Sequence, residues 1–222
     1  MADALVVFDV DGVLLELTQA EEEVFFHALA HFVPTMDLSR NWNSYRIRND
    51  DDIIAEILEL NHKPADLKPL VIAHYLAELA EKLANDKLGT RMIDGADHML
   101  AELSQRARLG IATANFREAA RLRLEKVGLW QAVSAHAFGA DGGGHKHEIL
   151  ARLLATVALP KDRVVYVGDN VNDVEAGLRN GVHFIGFSTS PERRKAMVTA
   201  GAATISQSHV ETLTLIGQAL NA

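Results

Sequence analysis

Leu5-Val6-Val7-Phe8-Asp9-Val10-Asp11-Gly12-Val13-Leu14 is an apolar run interrupted by two aspartates one residue apart. A short valine-rich run of this kind predicts a strand buried on both faces. Side chains alternate along a strand, so Asp9 and Asp11 begin on one side as the strand ends, and Gly12 lets the chain turn there. At about 4 Å and an effective dielectric of about 20, two carboxylates repel by roughly 4 kcal/mol, which a fold tolerates when a cation or a chemical role offsets it. Asp-x-Asp-Gly is also ordinary turn composition, and standing alone it reads equally well as a turn.

It does not stand alone. A second apolar segment, Leu109-Gly110-Ile111-Ala112, ends in Thr113; Lys146 follows a glycine run; and Val164-Val165-Tyr166-Val167 leads into Gly168-Asp169-Asn170-Val171-Asn172-Asp173. An Asp-x-Asp-Gly strand end, a strand-end Thr, a Lys and Gly-Asp-x-x-x-Asp, in that order, resemble the four signatures of the haloacid dehalogenase-like (HAD) superfamily. The resemblance covers essentially the whole chain. It is to the helical-cap subgroup that includes phosphoglycolate phosphatases and β-phosphoglucomutases. His147 stands where a Pro commonly follows the lysine, and the frequent Asn after the threonine is displaced to Asn115.

The rest of the sequence fits an α/β protein, a doubly wound parallel sheet with an inserted all-helical domain. Thr18-Gln19-Ala20-Glu21 is a capping box, followed by Phe25, Ala28, Leu29 and Phe32 at helical spacing, with Pro34 as the expected stop. Asn49 or Asp50 caps a helix carrying Ile53, Ile54, Ile57 and Leu58; after Pro64 a longer helix carries Ile72, Leu76, Leu79 and Leu83. Residues 17–88 therefore read as a helical cap, and residues 1–16 with 89–222 as the catalytic core, joined through Glu16-Leu17 and Lys87-Arg91. Beyond Asp94-Gly95, helices alternate with strands near 109–113, 133–138, 164–167, 182–187 and 203–206, the pattern of a parallel sheet covered on both faces. A helix capped by Asn115 with Glu118 is expected to stop at Gly128. Glu21-Glu22-Glu23 reads as a favourable first helical turn rather than a site.

Composition narrows the function classes. The 222 residues carry a net charge of −8, which argues against a nucleic-acid surface. With no cysteine, neither a disulfide framework nor a thiolate zinc site is possible. No run reaches membrane-spanning length, so the expectation is a soluble cytoplasmic protein, monomer or homodimer, acting on a small phosphorylated metabolite without nucleic acid or membrane.

The resemblance implies Mg²⁺ as cofactor and gives each motif residue a role. Asp9 attacks phosphorus, and Asp11 protonates the leaving oxygen and later takes a proton from water. Asp169, Asp9 and the main-chain oxygen of Asp11 hold the metal, with Asp173 acting through a water or as a further ligand. Thr113 hydrogen-bonds a phosphoryl oxygen, and Lys146 offsets negative charge among the carboxylates and the phosphate. Separately, the segment 41–50 mixes aromatics, amides and two arginines. Arg46 or Arg48, and Asn115, are candidates for reading the substrate; a salt bridge within the cap, for instance to Asp50 or Glu56, is at least as good a reading of the arginines. His145 and His147 flank Lys146 and read as substrate contacts or as exposed loop residues. Two alternatives use similar residues: a phosphomutase of the β-phosphoglucomutase kind, and a non-enzymatic phospho-receiver module, against which the 70-residue helical insert and Asp11 both weigh.

Overall fold

The computed structural model describes residues 4–33 and 39–221, so the expected helix stop at Pro34 lies outside the described residues. β1 (Leu5–Phe8), β2 (Arg108–Ala112), β3 (Ala137–Phe138), β4 (Val164–Gly168), β5 (His183–Phe187) and β6 (Ile205–Ser206) form one parallel sheet in the order β3-β2-β1-β4-β5-β6. The chain therefore leaves β1 in both directions. In such sheets a crevice opens at the carboxyl edge where the winding reverses.

Helices cover both faces. α1 (Gln19–Phe32), α2 (Asp50–Leu60) and α3 (Lys68–Ala84) lie between β1 and β2 in the sequence; then come α4 (Ala96–Ser104), α5 (Arg117–Lys126), α6 (Trp130–Val133), α7 (Lys146–Val157), α8 (Val171–Asn180), α9 (Pro191–Thr199) and α10 (His209–Asn221). Strand parity sorts the core. Val6 and Phe8 pack with Met99, Leu100 and Ile216 on one face, whereas Leu5, Val7, Val164 and Tyr166 pack with Ile149, Leu150 and Leu153 of α7 and Ala176 of α8 on the other. A separate cluster joins Phe25, Leu29, Ile53, Ile54, Ile57, Tyr75 and Leu79 of the inserted helices and continues into Phe116 and Ala119, so the insertion is seated on α5.

Several elements differ from expectation. Only Ala137 and Phe138 pair with β2; Trp130–Val133 is helical, with the Trp130 ring buried beneath the Arg117 guanidinium at 5.3 Å. An apolar run of that length does not itself distinguish strand from helix. The buried stripe of α3 is Val71, Tyr75, Leu79 and Leu83, with Ile72 and Leu76 only partly buried. α5 begins at Arg117 without a cap from Asn115: Asp50 Oδ2 accepts from the Phe116 N–H at 2.9 Å and Asp141 Oδ2 from the Arg117 N–H at 2.8 Å. Two distant carboxylates thus supply what a local box does elsewhere. The Thr18–Glu21 capping box is present, and Asn49 is the cap of α2. Among the described residues, no helix is long and apolar enough to cross a membrane.

Candidate active site

Asp9 follows β1 and keeps the parity of Leu5 and Val7, which aims it at the face covered by α7 and α8. Lys146, the first residue of α7, meets it there: Nζ pairs with Asp9 Oδ2 and, at 2.8 Å, with Asp173 Oδ1. Tyr166 shares that face and donates its hydroxyl to Asp173 Oδ1 at 2.6 Å. The other oxygen, Asp173 Oδ2, accepts the N–H groups of Asp169 and Asn170 at 3.2 and 3.0 Å. With two donors on each oxygen, Asp173 fixes Lys146 and the turn that presents Asp169. Two glycines make this approach possible. A Cβ at Gly168 would lie 2.3 Å from Asp173 Cβ; one at Gly12, whose φ is +73°, would lie 2.2 Å from Asp169 Oδ2.

Asp9, Asp169 and Asp173 are buried and each offers a carboxylate oxygen within 4.8 Å of the others. Burial, with Asp173 and Asp169 nearby, pushes Asp9 up to about 8 against the pull of Lys146. Burial and Asp173 push Asp169 up to about 6, although Arg193 Nη1 pairs with Asp169 Oδ2. Burial disfavours the Lys146 ammonium, but Asp173 and Asp9 outweigh it and hold the group above the ordinary lysine range. Carboxylates thus exceed the cations that face them. An all-oxygen donor set with surplus negative charge fits a hard divalent cation.

A cavity of about 360 Å³ opens over these groups. Asp9, Asp11, Thr113, Asn115, Lys146 and Asp169 line its sheet side; Phe25, Trp42, Arg48, Asp50 and Tyr75 line it from the inserted helices. Of the residues singled out from sequence, Asp173 is buried behind the wall rather than on it. Thr113 follows β2 directly, 1% exposed, its hydroxyl 3.3 Å from Asn115 Oδ1 and accepting the Asn115 N–H at 3.2 Å. The two arginines of the 41–50 segment separate. Arg48 lines the cavity and its buried Nε has no protein partner, whereas Arg46, 65% exposed, pairs with Glu56 and Glu59 away from it. His145 and His147 stack on each other at 5.5 Å and do not line the cavity.

Several lining residues escaped the sequence reading, among them Glu21, Asp50, Arg123 and Arg193. Glu21, read as part of a favourable helical turn, is buried and lines the cavity. Arg123, 3% exposed, joins Asp11 Oδ1 at 2.6 Å to Glu21 Oε2 at 3.0 Å. Asp50 is buried, and its carboxyl is pushed up to about 7, chiefly by burial and further by Asp11, while the Phe116 N–H opposes the shift. Arg193 reaches over Asp169 from α9. Arg123 had a sequence signal, a charge on the buried stripe Ala119, Ala120 and Leu124.

A parallel sheet carries buried carboxylates at its carboxyl edge beneath a set of inserted helices, an arrangement suited to hydrolytic chemistry. The chain belongs to the haloacid dehalogenase-like hydrolase family, whose pattern it matches over residues 6–187. It is 26% identical over 215 residues to the tyrosine-protein kinase PtkA of Mycobacterium tuberculosis, covering 91% of this chain and 70% of that one. Its fold is similar to CbbY from Rhodobacter sphaeroides in complex with phosphate, with TM-score 0.71, 19% identity, and 95% and 96% of the two chains covered. It is similar also to a predicted phosphoglycolate phosphatase from Haemophilus somnus 129pt, with TM-score 0.71, 17% identity, and 97% and 99% covered.

Proposed function

We propose that the chain is a phosphatase that hydrolyses a small phosphorylated metabolite through an aspartyl phosphate on Asp9. The observation that carries this reading is the meeting of Asp9 with Lys146, Asp169 and Asp173 beneath a cavity that Asp11 also lines. The Asp9 carboxylate forms a bond to phosphorus as the bond to the leaving oxygen breaks, and the Asp11 carboxyl gives that oxygen its proton. Water then attacks phosphorus, Asp11 takes its proton, and the bond to Asp9 breaks to free inorganic phosphate. A positioned acid–base group contributes on the order of 10²–10⁴-fold to such a step. Thr113, Asn115 and Lys146 bind the phosphoryl oxygens.

Asp9, Asp169 and the Asp11 main-chain oxygen would hold Mg²⁺, with Asp173 orienting them or reaching the ion through water. Mg²⁺ bound there would neutralise charge on the carboxylates and phosphoryl oxygens. Residues 17–88 act as the cap and Arg48 as the cap residue that reads a second anionic group on the substrate. A cysteine-free chain of this kind suits the cytoplasm.

The kinase name of the mycobacterial relative favours one second reading, transfer of the phosphoryl group to a protein tyrosine instead of water. One assay separates the two. With Mg²⁺, wild type should release phosphate from p-nitrophenyl phosphate and from members of a phosphometabolite panel, and Asp9→Asn should not. Labelling of protein tyrosine from ATP with no phosphate release from any ester would refute the phosphatase reading.

A further inference from the structure

Both linkers of the helical insertion converge on one carboxylate. The Thr18 N–H donates to Glu21 Oε2 at 3.1 Å, Thr18 Oγ1 donates to the Leu88 carbonyl at 2.9 Å, and Thr90 Oγ1 donates to Glu21 Oε1 at 2.6 Å. The same two Glu21 oxygens receive Arg123 Nε at 3.1 Å and Nη2 at 3.0 Å. Arg123 Nη2 also donates to Asp11 Oδ1 at 2.6 Å, and Nη1 lies 3.3 Å from Asn115 Oδ1. A guanidinium is a rigid plane whose donors point in fixed directions, so displacing Glu21 turns or releases whatever the other donors hold. Arg123 and Glu21 are 3% and 4% exposed, and parting a buried pair leaves an uncompensated charge. The connection between linkers and Asp11 therefore has a made state and a broken state, with little between.

We propose that Arg123 is a positioning residue that makes the aim of Asp11 depend on the position of the cap. With the linkers as they stand here, the Glu21–Arg123 fork holds the Asp11 side chain against the cavity. When the linkers shift, Glu21 withdraws, the fork breaks and Asp11 loses its orientation. Glu21 also balances the guanidinium, so Arg123 orients Asp11 without being a cation dedicated to it. The leaving group is then protonated only under a seated cap, where bulk water is excluded. This coupling rests on the phosphatase reading for the role of Asp11, but not for the linkage of Arg123 to the cap.

The two parts are tested together. The chain has no cysteine, so Leu60→Cys on α2 and Leu178→Cys on α8, at positions 65% and 53% exposed, accept spin labels cleanly and report the cap-to-core distance by pulsed EPR. In that background, Arg123→Gln should lengthen or broaden the distance distribution. It should also lower kcat for an alkyl phosphate by roughly 10- to 100-fold, within what a positioned acid supplies, while p-nitrophenyl phosphate, whose leaving group needs no proton, changes by less than about 3-fold. Thr90→Val cuts one linker bond and leaves every charge paired, so it serves as the second variant if Arg123→Gln fails to fold; it should give the same selective loss, smaller, with the same broadening. Equal losses on both esters, or a distribution unchanged in both variants, would overturn the proposal. Should wild type release phosphate from neither ester while the distribution still shifts, the phosphatase reading fails, and with it the assignment of Asp11, whereas the tie between Arg123 and the cap stands.

Discussion

Asp50 sits where the inserted helices meet the sheet domain, and its replacement by asparagine has an effect whose size follows from its surroundings. The carboxyl is buried, accepts the Phe116 N–H at 2.9 Å, and has its pKa pushed up to about 7 from 3.8. For an acid raised in the folded state, folding carries no penalty below about pH 4. The penalty grows as pH climbs through that window and levels off above pH 7. At about 1.4 kcal/mol for each pH step, the full cost is roughly 4 kcal/mol, with the opposing hydrogen bond from the Phe116 N–H already included in the shift. Asp50→Asn keeps an oxygen for the Phe116 N–H and removes the charge. Between pH 5 and pH 8 the variant should therefore gain roughly 2–3 kcal/mol on wild type, in the range over which Asp50 ionises. Urea unfolding of both proteins at the two pH values, in chelator-treated buffer, measures this. A stability difference that does not change with pH, or a variant that loses ground at pH 8, would refute the placement of a buried carboxyl at this seam.

Other perturbations separate residues that look alike. Asp11→Asn should slow alkyl phosphates by on the order of 10²-fold or more and p-nitrophenyl phosphate much less, read from kcat on each. Arg48→Ala should raise KM or lower kcat/KM for the physiological substrate found by panel screening while sparing p-nitrophenyl phosphate. Arg46→Ala, which breaks only the pairs to Glu56 and Glu59, should leave both rates within about 2-fold, since exposed ion pairs contribute little. His209, 2% exposed and stacked on Phe187 at 4.6 Å, has its pKa pushed down to about 4 from 6.5 by burial. Its contribution is fully present above about pH 6.5 and falls away towards pH 4, a loss of roughly 3 kcal/mol that His209→Phe should abolish in acid-unfolding curves.

Strand ends were the legible part of this chain. Asp9, Thr113 and Asp169 each follow an apolar run whose alternation fixes both the strand and the face on which the next side chain emerges, and Asp9, Lys146 and Asp173 meet as their motifs imply. Residues whose partners lie far off in sequence were not legible. Arg123 is 112 positions from Asp11 and 102 from Glu21, and Asp50 is 66 from Phe116, so no local spacing joins them. Glu21 was hidden by a correct local explanation, because its capping-box role accounts for a glutamate there without reference to the cavity. Arg46 and Arg48 have the same composition around them; only the packing of α2 sends one outward to Glu59 and turns the other to the cavity.

The nucleophile is tested most directly by acid-quenching wild type during turnover of p-nitrophenyl phosphate with Mg²⁺ and mapping the phosphoryl adduct by peptide mass. The adduct should lie on the peptide containing Asp9, fragment to that residue rather than to Asp11, and be absent from Asp9→Asn. Phosphate released at an undiminished rate by Asp9→Asn, or an adduct on any other side chain, would contradict the assignment of Asp9.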